Sequence, residues 1–151
     1  MRFGLPEAVL SIPPEELDRR MRRASDDLLE VSGVGAFVRI LVPVSLTAGY
    51  QIVFGAWLGV ASELLRRASD VWWGEGYPTL RLDGLLANRL PPWEEETYGA
   101  ALTARVRDVG QLPYAVASPD PVMQDILTRN WPHELVLAAL ATYAGQWSPE
   151  P

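Results

Sequence analysis

The chain has no cysteine, no lysine and a single histidine, and each shortage excludes a class of chemistry. Without cysteine there is neither a disulfide nor a thiolate metal site. His133 follows Trp131-Pro132 at an expected helix start, where a lone imidazole reads as a surface or capping residue, so no metal site is expected. All 13 basic residues are arginine, and 19 acidic residues outnumber them to leave a net charge of −6. That balance argues against nonspecific nucleic-acid binding and is compatible with a basic protein partner. No apolar run approaches the roughly eighteen residues of a membrane span. Residues Met1–Pro6 carry no signal-peptide hydrophobic region, so a cytoplasmic location is expected.

Catalytic signatures are also missing. There is no Gly-x-Ser-x-Gly elbow and no Gly-rich phosphate loop before a lysine. A serine triad needs a positioned histidine, and His133 stands alone. A carboxylate pair would have to join Asp83 to Glu94 or Glu95, with nothing in the spacing to bring them together. No catalytic residue and no cofactor is therefore expected.

What the chain does contain is organised around residues 36–60, AFVRILVPVSL-TAG-YQIVFGAWLGV. Side chains alternate faces along a strand. Val38, Ile40, Val42, Val44 and Leu46 share one face of residues 36–46; Tyr50, Ile52, Phe54, Ala56 and Leu58 share one face of residues 50–60. A three-residue turn at Thr47-Ala48-Gly49 pairs Leu46 with Tyr50, Val42 with Phe54 and Ile40 with Ala56. Both apolar rows then fall on one side, and a one-residue slip would expose them. On the other side Arg39 faces Trp57 beside Gly55 and Gly59. That pair reads either as cross-strand packing or as an aromatic-floored anion contact. Pro43 cannot donate to a ladder, which predicts an edge or a bulge there.

Before the hairpin, residues 1–12 read as an arm with Leu5, Val9, Leu10 and Ile12 available to pack, and Pro13-Pro14 opens an expected helix with a thin stripe of Leu17, Met21 and Ala24. Arg19, Arg20, Arg22 and Arg23 are interleaved with acids and read as a solvated face of that helix. Leu28–Val31 is a short strand candidate. Ser62 is an expected N-cap for a helix through Trp72, and Gly74 and Gly76 end it. Leu80, Leu82 and Leu86 face inward on the next strand, with Gly84 marking a bulge or a close backbone approach. Leu102 and Ala104 form another inward row, and residues 111–117 add a short strand. Asp120-Pro121 starts one helix, and Pro132 starts the last, with Val136, Ala139, Leu140, Tyr143 and Trp147 as its stripe.

The stretches Leu5-Pro6, Phe37-Val38-Arg39, Val42-Pro43-Val44, Gly55–Ser62, Asn88-Arg89-Leu90-Pro91, Thr97 and Pro113 stand in an order that resembles an uncharacterised bacterial family, the domain of unknown function 2199. The chain lacks the Cys- and His-containing segment with which members of that family often begin, and Leu85 stands where the family tends to carry Trp. The resemblance thus implies no metal role, and the family brings no assigned activity.

The expected fold is α+β: a single domain, 1–151, with an antiparallel sheet of four to six strands centred on the hairpin 36–46/50–60 and helices mainly on one face. The expected function is a non-enzymatic protein-interaction module of immunity or regulatory type, contacted through Trp93 and Glu95. The alternative is a small-ligand binder or an unrecognised enzyme on the polar sheet face, using Arg39, Trp57, Arg81, Asp83 and Arg105.

Overall fold

A computed structural model describes residues 2–143. Trp147 of the expected last stripe and residues 148–151 lie outside them. The two halves of the hairpin, β3 (Gly35–Ser45) and β4 (Gln51–Val60), pair antiparallel without a register shift. Ile40 lies opposite Ala56, Val42 opposite Phe54 and Arg39 opposite Trp57, as side-chain parity requires. The turn places Ala48 and Gly49 at positive φ. The inward row of Val38, Ile40, Val42, Phe54, Ala56 and Leu58 is fully buried.

Pro43 sits in β3 without a bulge, for a reason visible in its neighbours. The N–H groups of Arg39 and Leu41 point away from β4, toward Asp27 O at 2.9 Å and Pro113 O at 2.8 Å. Two residues further on, the nitrogen of Pro43 turns the same way, so no hydrogen bond to β4 is lost.

The expectation of four to six strands in an open antiparallel sheet is corrected. Seven strands pair in chain order: β1 (Met21–Ser25), β2 (Leu28–Val31), β3, β4, β5 (Arg81–Leu86), β6 (Ala101–Arg105) and β7 (Tyr114–Ala117). β7 also returns to β3, where Leu41 meets Tyr114 in parallel, and five strands close into a barrel. Parity explains the parallel seam. Strands of a meander alternate direction, so the first and fifth run the same way and must close in parallel. β1 and β2 extend the sheet beyond the barrel as a hairpin.

A second correction concerns the first helix. α1 (Pro14–Arg20) stops at Arg20, and Met21 is already extended, paired with Val31. Arg22 and Arg23 therefore lie on a strand. Pairing with the apolar β2 across the Asp26-Asp27 turn outweighs a thin helical stripe.

α2 (Ser62–Val71), α3 (Pro121–Thr128) and α4 (His133–Tyr143) add Leu65, Ala68, Met123, Ile126 and Val136 to the barrel core. Three of the four helices thus pack on the barrel-core side, while Leu17 of α1 packs against the other core. Ser62 is the first residue of α2, and the N-cap is Ala61, which has no side chain to give. Asp120 does cap α3, accepting from Met123 N–H at 2.9 Å, a contact worth about 1 kcal/mol. Gly84 marks a close approach, because a Cβ there would stand 2.1 Å from Gly59 O. Among the described residues no helix is long and apolar enough to cross a membrane.

A second, smaller core lies on the outer face of β2–β4. Val9, Leu29, Val31, Phe37, Trp57 and Ala87 form it, with Leu5, Ile12 and Leu17 packed against them. Its cover is the amino-terminal arm.

Candidate functional site

The arm crosses β4 and the segment after β5, stitched by main-chain bonds: Phe3 N–H to Gly55 O at 2.9 Å and Glu7 N–H to Ala87 O at 2.8 Å. Gly55 allows this, since a Cβ there would meet Arg2 Cγ at 3.3 Å. Beneath the arm lies the pair singled out by the sequence. The Arg39 guanidinium stands 4.3 Å from the centroid of Trp57, and its Nη1 donates to Phe3 O at 2.8 Å. Its Nε is 3.6 Å from Asp27 Oδ1, an ion pair longer than a hydrogen bond.

Arg39 is 3% exposed and Trp57 is 0% exposed. The aromatic floor is therefore covered, and these two residues offer no open site to a ligand. The two do pack across the strands, and Arg39 is held by a carboxylate and a carbonyl as well as by the indole. Burial raises the Asp27 carboxyl above its ordinary value; Arg39 and then Arg2 pull it down, and Asp26 adds to the rise.

Asn88 completes the latch. Its Oδ1 accepts from Trp57 N–H at 2.8 Å, and its Nδ2 donates to Leu5 O at 2.9 Å. Sequence reasoning missed Asp27 and Asn88 as partners. Asn88 stood within a stretch carrying the family resemblance, whereas Asp27 sits in a turn with no signal of its own.

The other candidates fall elsewhere. Arg81 and Arg105 lie directly opposite on β5 and β6, with Asp83 beside them, all exposed. Thr103 donates to Asp83 at 2.6 Å and Arg81 at 3.2 Å, so the hydroxyl first, then the guanidinium, hold that carboxyl below its ordinary value. This is a solvated cluster in which Arg81 pairs with Asp83. Glu95 binds Arg89, which also reaches Glu7 at 3.2 Å and lies over the Tyr98 ring. Trp93 is half-buried, edge-on to Trp131 with centroids 5.1 Å apart. Neither Trp93 nor Glu95 is thus an isolated surface group. Among the described residues no group of three or more His, Asp or Glu could hold a metal.

A different surface is open. α4 begins on the hairpin end, where Thr47 Oγ1 accepts from His133 N–H at 3.0 Å and contacts His133 Nδ1 at 2.8 Å. Tyr50 stacks on the His133 ring at 5.1 Å and is 53% exposed. Val136 points into the core, but Leu135 and Leu137 are 56% and 40% exposed. Leu137 lies one turn after His133, so tyrosine, histidine and leucine form one strip.

The geometry defines a class: a small α+β barrel of five strands, extended by a hairpin and latched by its amino-terminal arm. The family described as "Uncharacterized protein conserved in bacteria (DUF2199)" matches residues 1–130, and the chain belongs to it. No curated protein and no solved structure matches the chain. Leu5, Arg39, Gly55, Trp57 and Asn88, all within the stretches that carried the resemblance, meet at the latch.

Proposed function

We propose that this chain is a non-enzymatic protein-interaction module, of immunity or regulatory type, whose contact surface is the outer face of α4 with Tyr50. The observation that supports it is α4 itself. A helix apolar on most sides is normally buried, yet Leu137 faces solvent on the flank that carries His133 and the exposed Tyr50, and Leu135 faces solvent on the opposite flank. Tyrosine is among the residues enriched at binding hot spots. Glu134, whose side chain is 91% exposed, and the net charge of −6 suit a partner whose apolar groove is rimmed by basic residues.

The test is capture of partners from a bacterial lysate, followed by affinity measurement with the partner so identified. Leu135→Glu/Leu137→Glu is expected to weaken binding at least about tenfold while the melting temperature stays unchanged, since both side chains are exposed. Trp93→Ala and Glu95→Arg serve as comparison and are expected to bind like wild type. Full binding by the leucine variant removes α4 from consideration. Loss with Glu95→Arg instead would move the surface to the loop at 93–98.

A further inference from the structure

The arginines at 20–23 have a setting that a solvated helix face would not give them. β1 is the edge of the sheet, Arg22 lies directly opposite Glu30, and α2 flanks the hairpin. Along this junction runs a trough in two adjoining parts, of about 500 Å³ and about 250 Å³, with Arg22 and Glu30 lining both. Arg20 and Ser62 line the larger part; Arg23, Arg66 and Ser69 line the smaller. Four arginines and one glutamate are thus among the residues lining the trough, in a chain whose net charge is −6.

Arg20 is held in place by Ser32 O at 2.9 Å and Glu16 at 3.0 Å. It lies over Gly33, where a Cβ would stand 2.9 Å from Nη2. The guanidiniums of Arg22, Arg23 and Arg66 make no hydrogen bond or ion pair with another described residue. Glu30 receives the Ser62 hydroxyl at 3.4 Å. Unneutralised guanidiniums around a concave space concentrate positive potential there, which attracts an anion.

We infer that this trough binds a small ligand carrying two linked phosphate groups. A guanidinium presents paired N–H donors that match phosphate oxygens. The walls bring guanidiniums from α1, β1 and α2, hence from different directions. A tetrahedral phosphate offers oxygens in several directions, whereas a planar carboxylate offers one edge. Two adjoining lobes sharing Arg22 suit two linked groups, and the larger lobe falls within the roughly 300–1,000 Å³ of small-molecule sites. The overall negative charge disfavours a long polyanion such as nucleic acid.

The experiment is isothermal titration of pyrophosphate into the whole protein at two salt concentrations. Saturable one-to-one binding that weakens with salt is expected. Arg22→Gln and Arg66→Gln should each reduce affinity at least tenfold, and Arg67→Gln, on α2 but not on the trough wall, should leave it unchanged. All three side chains are exposed, and melting temperatures check that the variants fold. If Arg22→Gln fails to fold, Arg66→Gln decides. Absence of saturable binding, an equal loss with Arg67→Gln, or wild-type affinity in Arg66→Gln overturns the site. Citrate binding as tightly as pyrophosphate overturns the phosphate assignment.

Discussion

Arg39 has given up nearly all its water, and a carboxylate, a main-chain carbonyl and an indole face stand in its place. Removing one member of a buried ion pair strands the other, at a cost of about 3–5 kcal/mol. Arg39→Met is therefore expected to destabilise by about 3 kcal/mol in urea melts, because Asp27 is left partly buried. Arg39→Met/Asp27→Asn should recover part of that loss. A single-variant cost below about 1 kcal/mol would return Arg39 to the role of a simple packing partner. The pH dependence has a definite sign. Folding raises the Asp27 pKa above its ordinary 3.8, so the native state holds the proton more tightly than the unfolded chain. Stability from the neutral carboxyl is fully present below 3.8 and is lost as pH rises through the raised value. Wild type should therefore lose stability relative to Asp27→Asn on going from pH about 3 toward neutrality. A constant difference in melting temperature across that range would refute this. Asp83, with its lowered pKa, acts in the opposite sense: its contribution is present above the ordinary value and is lost in acid.

Residues 1–12 were legible as an arm with Leu5, Val9 and Ile12 free to pack, and these side chains do pack in the second core, but where the arm docks was hidden. The hairpin could be read because period-2 alternation, a Gly-containing turn and two apolar rows agree on one register. Asp120 before Pro121 and the crowding at Gly84 were legible as well, since each is a local requirement on one residue. The arm docks instead through the main-chain groups of Phe3 and Glu7 and the Leu5 carbonyl, and a backbone acceptor leaves no mark on residue identity. The exposed strip on α4 was missed for the converse reason: Leu135 and Leu137 read as ordinary helix residues until their neighbours are known. Asn88 joins arm to barrel, so Asn88→Ala is expected to orphan the buried Trp57 N–H and cost about 1–3 kcal/mol. Asn88→Asp keeps the acceptor for Trp57 but buries a carboxylate oxygen against the Leu5 carbonyl, and at neutral pH should cost at least as much as alanine. Equal stability of all three in denaturant titrations would show that the latch does not rest on this side chain.

At the level of the molecule, the barrel's seams are unequal: β3–β4 is the longest and β3–β7 the thinnest. β3 and β4 pair over ten residues, whereas β3 meets β7 at one pair, Leu41 and Tyr114. Periodicity shows which face of a strand is buried but not which distant strand lies beside it, so this closure was beyond sequence reasoning. The amide of Leu41, bonded to Pro113 O across the seam, should exchange its hydrogen faster than those of Ile40 and Val42, which face β4. Equal protection would mean that the barrel opens only by global unfolding. The latch also has a history in time, because a ribosome makes the arm before the strands it docks on. Leu5 and Val9 leave the ribosome before Gly55, Ala87 and Asn88 exist, and synthesis at roughly 5–20 residues per second leaves that interval on the order of ten seconds. Throughout it the arm has no docking surface, while the β3–β4 hairpin needs only neighbours close in sequence. Residues translated before the strands they dock on are thus among the last to find their place, and until then their apolar side chains are open to whatever chaperone attends the nascent chain.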